Sequence, residues 1–383
     1  MSAAPNAYGE DTTLDLVQAL EESAALGASD LHLTALLPPI VRLSGQLSPL
    51  PGFTAPGEEV LYEQLVGMLT RTQRQKFDET LELDYSCQVP SGRMFRANLY
   101  WDRGSIAAAF RVIPDVIRSL DELRIPGAVK TFAGLPRGLV LVCGPTGSGK
   151  STTLAAIIDL ANRTRSGHVL TIEDPIEFQH NSNRCLVAQR EIGVDTLTFA
   201  EALKHALRQD PDIILVGELR DRETMETALR AAETGHLVFA TLHTQGVAQS
   251  INRLVDQFDA NHQDQIRSQL AITLQAVLSQ TLCRRADGKG RVVATELMRA
   301  TPAIRAMIRE NKIHQIYSAL HTGSEEGMHT LDQSLAELVR KGDITFEEGL
   351  ETSRQPDEFA RMLGRSARVQ QGVSGLNNPF GRM

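Results

Sequence analysis

Residues 144–152 read GPTGSGKST, and Gly144, Gly149, Lys150 and Ser151 fall in the spacing G-x-x-x-x-G-K-[ST]. That spacing binds phosphate. Glycines let the backbone curl until its N–H groups face an anion, and the dipole of a following helix adds to the field. The lysine reaches the β and γ phosphates of a nucleoside triphosphate, and the hydroxyl holds Mg²⁺. The context agrees: an apolar run, GLVLVC, precedes the loop, and the helical pattern LAAIIDLANR follows it. A glycine-rich turn matching by chance would not bring strand, loop and helix together. Gly144, Pro145, Thr146, Gly147, Ser148, Gly149, Lys150, Ser151 and Thr152 are the candidate nucleotide-binding residues.

Two more strand-like runs end in acids. PDIILVGELRD carries four apolar residues into Gly217-Glu218. In a P-loop fold a second strand delivers an acid near the metal and the attacking water. Ligands of open α/β sheets bind at the C-terminal ends of strands. Glu218 is therefore the candidate that polarises water. Gly217 leaves the usual aspartate position empty, so another acid is needed for the metal. HVLTIEDPIEF offers Glu173, Asp174 and Glu177, and Glu173 with Ser151 is the candidate Mg²⁺ pair. In TGHLVFATLHT the seven-residue spacing puts His236 and His243 at opposite ends of one strand. They should not touch the same phosphate. His243 is placed to sense the γ-phosphate, and His236 to contact a neighbouring domain or a ligand across an interface.

A third set is cationic. In FRANLYWDRGSIAAAFRV a two-residue hairpin loop at Arg103-Gly104 pairs Asp102 with Ser105 and sets Arg96 opposite Arg111. Like charges directly opposite are unfavourable in a sheet. The pair makes physical sense where an anion comes between them. Arg96, Arg103 and Arg111 are the candidates.

The elements that must position these residues fall into blocks. Residues 1–11 are expected to be disordered. Residues 12–115 alternate short strands with helical segments, as in LELDYSCQV, where Leu81, Leu83, Tyr85, Cys87 and Val89 share a face. They form a small α+β domain. Residues 116–136, with Pro126 and Pro136, read as a linker. Residues 137–300 alternate apolar strands with helices, the signature of a parallel sheet. Thr301 and Pro302 cap a helical region that runs to 365. Residues 366–383 form a polar tail, also expected to be disordered. In PAIRAMIRE, Ile304, Met307 and Ile308 lie on a core face, while Arg305 and Arg309 lie on a face open to partners.

The totals exclude several classes. The net charge of −8 disfavours a nucleic-acid-gripping protein. The four cysteines contain no CxxC pair, which argues against zinc and disulfides and fits a reducing cytoplasm. No apolar run approaches the roughly 20 residues that cross a bilayer, and no signal-peptide pattern opens the chain.

GPTGSGKSTT, TIEDPIEF, ILVGELRD and AAETGHLVFATLHT, in that order, resemble the Walker A, Asp box, glycine-containing Walker B and His box of the secretion-superfamily ATPases. GASDLHL, AIRAMIRE and GMHTLDQSL are similar to segments of the type IV pilus retraction ATPases, the PilT-like group with PilU as a close relative. That group's AIRNLIRE has Asn and Leu where this chain has Ala306 and Met307. The resemblance covers residues 12 to about 350. It implies an α/β fold: a RecA-like P-loop ATPase domain, a smaller PAS-like N-terminal α+β domain and a C-terminal helical region. It further implies an ATP- and Mg²⁺-dependent homohexamer that powers pilus retraction and twitching motility. Its expected place is the cytoplasm, peripheral at the inner membrane. Its expected partners are a pilus platform protein and a second retraction ATPase, with no nucleic acid. In such rings ATP sits between subunits and small-domain arginines reach a neighbour's nucleotide. Extension and type II secretion ATPases carry extra N-terminal domains and often a four-cysteine zinc insert, neither of which is seen here. An extension, secretion or conjugation motor of the same superfamily is the alternative. A low-turnover regulatory ring subunit is the other, and intact Lys150, Ser151 and Glu218 speak against it.

Overall fold

The computed structural model describes residues 13–43, 45–114 and 116–366. The disorder expected for residues 1–11 and for the tail beyond 366 lies outside the described residues.

Alternation and tight turns build a small sheet first. Helix α1 (Leu16–Ala25) is capped by Asp15, whose carboxylate accepts from the Gln18 amide. Strands β1 (Asp30–Thr34), β2 (Ile40–Leu43) and β3 (Gln46–Pro49) follow. The helical stretch at 57–79 is two helices, α2 (Glu58–Gly67) and α3 (Arg71–Thr80). Thr70 and Gln73 form a capping box that restarts the chain between them. Then come β4 (Glu82–Gln88), β5 (Met94–Asp102) and β6 (Ser105–Val112). The sheet order is β3-β2-β1-β6-β5-β4, over a core that includes Leu20, Leu31, Phe95, Leu99 and Phe110. The β5–β6 hairpin has the expected register: Asp102 pairs with Ser105, and Arg96 with Arg111. Leu81 departs from the expected strand face. It caps α3 in the left-handed region, at φ 63°, and is exposed.

The larger sheet follows. In chain order its elements are β7 (Gly138–Cys143), α4 (Lys150–Thr164), β8 (Gly167–Glu173), β9 (Cys185–Glu191), α5 (Phe199–Ala206), β10 (Ile213–Val216), α6 (Arg222–Glu233), β11 (Leu237–Leu242), α7 (Val247–Asp256), α8 (Ala260–Thr273), β12 (Leu274–Arg284) and β13 (Arg291–Arg299). The strand order is β13-β12-β7-β11-β10-β8-β9. Every residue of β7, β10 and β11 is buried. That explains their unbroken apolar runs, since parallel strands are covered on both faces. Helices α9 (Pro302–Arg309), α10 (Ile316–Thr322), α11 (Leu331–Arg340), α12 (Phe346–Thr352) and α13 (Pro356–Met362) follow.

The chain divides into two compact units. One comprises the described residues of Met1–Ser119 with Ala133–Arg137 and Ser151–Ala240. The other comprises Leu120–Phe132, Gly138–Lys150 and the described residues of Thr241–Met383. The stretch 116–136 contains a 3₁₀ helix, Gly127–Gly134, with Val129 and Phe132 buried.

In the second unit Thr301 caps α9 by accepting from the Ile304 amide, with Pro302 at the first helical position. Ile304 and Ile308 are buried as expected. Arg305 is a correction, because it does not face outward to a partner. Its guanidinium donates to the Ala271 and Ile272 carbonyls at 2.7 and 2.9 Å and to Gln275 Oε1 at 3.2 Å. Those carbonyls close the C-terminal end of α8, where a helix favours a cation.

Candidate nucleotide site

The second unit holds the phosphate loop. Strand β7 pairs in parallel with β12, Cys143 against Ser279, so the loop leaves the sheet beside Gln280. A side chain at Gly144 would put its Cβ 2.2 Å from the Gln280 carbonyl oxygen, and φ there is 146°; only glycine fits. The buried Gln280 donates from Nε2 to the Ser148 carbonyl at 2.7 Å. Gln280 Oε1 and Ser148 Oγ are buried with no hydrogen-bond partner. Lys150, buried at the start of α4, donates to the Gly144 and Pro145 carbonyls, each at 3.0 Å. A phosphate oxygen is a stronger acceptor than either carbonyl. His243 leaves β11 with its Nδ1 3.4 Å from Thr146 Oγ1, so this histidine reaches the phosphate loop.

The acids lie in the first unit. Strands β8, β10 and β11 run parallel, with Val216 beside both Ile172 and Ala240. Glu173 and Glu218 therefore leave one edge. Gly217 has a steric reason. Its amide donates to the Ile172 carbonyl at 2.8 Å, and a Cβ there would lie 3.3 Å from the Glu173 Cα. A side chain at 217 would press on the strand end that carries Glu173, the acid expected to compensate for it. Glu173 Oε1 accepts from Thr171 Oγ1 at 2.7 Å and from Gln189 Nε2 at 3.2 Å. Burial pushes its carboxyl up to about 7, against these donors. Glu218 is buried and ion-paired to Arg220. Arg220 was not foreseen. Its position two residues past Glu218, beyond the strand, gives no periodic signal.

Arg96 and Arg111 line a cavity of about 520 Å³ with Thr152, Ile176, Glu177 and Phe178. Thr152 stands at the start of α4, so these arginines approach a residue of their own chain. Within the first unit the small sheet packs against the 175–178 loop. On β1, the side of Arg111 away from Arg96, stands a fixed anion: Arg111 Nε donates to Asp30 Oδ1 at 2.8 Å. Arg103 occupies the hairpin loop, at the far end of β5 from Arg96, and does not line this cavity. His236 precedes β11 and sits 3.1 Å from the Ala231 carbonyl, at the other end of the strand from His243.

A phosphate loop between a buried parallel strand and a helix, in a sheet whose parallel strands deliver acids at one edge, defines a P-loop ATPase of the RecA-like class. The family model described as type II/IV secretion system protein matches residues 126–351. The chain is 50% identical over 351 residues to the type IV pilus retraction ATPase PilT of Pseudomonas aeruginosa, covering 90% of this chain and 100% of that one. It is 49% identical over 315 residues to a twitching motility protein of Neisseria gonorrhoeae, covering 82% and 83%. A crystal structure of the pilus retraction motor PilT with bound ADP superposes with a TM-score of 0.84 at 46% identity, covering 91% of this chain and 99% of the other. The chain belongs to the type IV pilus retraction ATPases of the secretion ATPase superfamily.

Proposed function

We propose that this chain is a Mg²⁺-dependent ATPase that works as a homohexameric motor of type IV pilus retraction at the cytoplasmic face of the inner membrane. The observation that carries this reading is the phosphate loop with all its chemistry-bearing residues, in a chain half identical to PilT along that protein's whole length. Among the described residues no helix is long and apolar enough to cross a membrane, so attachment would run through a platform protein. A second retraction ATPase is a further expected partner.

Each residue has a role in this reading. Lys150 exchanges its carbonyl partners for the β and γ phosphates. The phosphate-loop amides and the α4 dipole hold the same charge. Glu218 orients the attacking water and takes its proton; Arg220 holds that carboxylate in place. His243, beside Thr146, reports on the terminal phosphate. Arg96 and Arg111 bring positive charge toward the start of α4, where Thr152 stands.

The residues suit Mg²⁺ by donor chemistry. Ser151 and Glu173 offer hard oxygens, and no cluster of three metal-ligating side chains exists among the described residues. Mg²⁺ usually takes one or two protein ligands and completes its shell with phosphates and water. When bound it neutralises charge on the β and γ oxygens.

Two measurements test the function. Purified chain should release phosphate from ATP only with Mg²⁺. A deletion strain should still assemble pili but fail to retract them. Loss of assembly itself would point instead to an extension or secretion motor.

A further inference from the structure

One row of the small sheet concentrates its polar groups. Ser86 pairs with Arg96, Arg96 with Arg111, Arg111 with Asp30, and Asp30 with Arg42. Residues directly opposite one another project from the same face. This row of five therefore crosses β4, β5, β6, β1 and β2 on one side. Its two central arginines line the cavity that also holds Thr152.

Glu191, the last residue of β9, meets the end of the row. It is buried, 4% exposed. Its Oε2 accepts from Ser86 Oγ at 2.7 Å and from the Ile176 amide at 3.1 Å. Ile176 belongs to the cavity wall, between Pro175 and Glu177. One carboxylate oxygen thus ties the arginine row to the loop those arginines face. Its own amide donates to Asp195 Oδ2 at 2.9 Å, which fixes the strand end that presents it. Burying a carboxylate is costly without good donors. Packing alone would be served better by an apolar residue, whereas an oxygen here can hold two donors from distant parts of the chain.

We propose that Glu191 is a positioning residue. It latches the small sheet to the Asp-box loop and so fixes where Arg96 and Arg111 stand relative to Thr152. The proposal rests on the reading that these arginines act on the nucleotide. It assigns the control of their placement to a residue of the ATPase sheet that hydrogen-bonds Ser86, the cross-strand partner of Arg96, rather than either arginine.

The test uses full-length chain and phosphate release from Mg-ATP. Ser86→Ala removes only the small-sheet end of the latch and should lower kcat/KM about 3- to 10-fold. Glu191→Ala removes both ends and should lower it about 10- to 100-fold, the range expected for hydrogen bonds to a charged group. Glu191→Gln keeps one oxygen that can accept from both donors, and should restore activity to within about threefold of wild type. In a chain lacking both arginines (Arg96→Ala with Arg111→Ala), adding Ser86→Ala should change nothing further, because the latch acts through them. An undiminished effect of Ser86→Ala in that background overturns the proposal, as does no effect in the wild-type background. Wild-type turnover by the arginine-free chain instead overturns the arginine reading itself. Amide hydrogen exchange reads the latch without activity. The Ile176 amide should exchange faster in Glu191→Ala and stay protected in Ser86→Ala; unchanged protection in Glu191→Ala shows that no latch exists.

Discussion

Glu218 and Glu173 leave parallel strands of one sheet, yet their surroundings prepare them for different work. Glu218 is paired with the Arg220 guanidinium. Glu218→Gln keeps the shape and removes the base. Turnover should fall about 10²- to 10⁴-fold with ATP still bound. A collapse of ATP affinity instead would make Glu218 part of the metal shell. Glu173 is half-buried and accepts from the neutral donors Thr171 and Gln189, and burial of its carboxyl pushes it up to about 7. An unfolded glutamate titrates near about 4.3. The folded chain therefore holds this proton more tightly. The stability it contributes is fully present below the unfolded value and is lost as pH rises through about 7. Without nucleotide or Mg²⁺, the melting temperature of wild type should fall between pH 6 and 8, and Glu173→Gln should flatten that slope. Equal slopes in thermal melts of the two chains would show that Glu173 is already ionised at pH 6.

At the scale of elements, α9 shows how a periodic pattern can be right about the buried face and still misplace one residue of the other, Arg305. Ile304 and Ile308 are core. Arg305, one position on, reaches back over α8 and satisfies two carbonyls at its end. Arg305→Ala should destabilise the fold by about 1–3 kcal/mol, the worth of hydrogen bonds to a charged group. Arg309 is exposed, and Arg309→Ala should stay within about 0.5 kcal/mol of wild type. Chemical denaturation of both variants checks this. Equal stability would return Arg305 to the partner-facing surface.

For the whole molecule, the question is which chain's arginines serve which nucleotide. The sequence resemblance implies service in trans. The cavity shared by Arg96, Arg111 and Thr152 favours service within one chain. Mixing Lys150→Ala subunits with Arg111→Ala subunits separates the two. With arginines acting within a chain, every subunit in the mixed ring lacks one essential group, and activity should not recover. Recovery above either variant alone, in rings confirmed by size, would show that an intact loop can borrow a neighbour's arginine. A finger supplied in trans is worth about 10³–10⁵ in rate, so recovery would be easily seen.

Local chemistry was legible in the chain itself. The phosphate loop depends on the glycine spacing and the helix that follows, both contiguous. The register of Arg96 against Arg111 follows from a two-residue hairpin loop, also local. The buried strands announced themselves because parallel strands covered on both faces need unbroken apolar runs. What the sequence left open depends on residues far apart along the chain. Gln280 lies 132 positions from the Ser148 carbonyl it braces, and Ser86 lies 105 positions from Glu191. The crowding at Gly217 comes from the Ile172 carbonyl and the Glu173 Cα on the adjacent strand. Arg305 looked like a surface charge because helical periodicity describes a helix alone, whereas its partners are the last carbonyls of another helix. A periodic pattern records which side of an element is apolar. Which polar group waits on the other side is decided only when the sheet and helices pack, because hydrogen bonds form between whatever groups packing brings within about 3 Å.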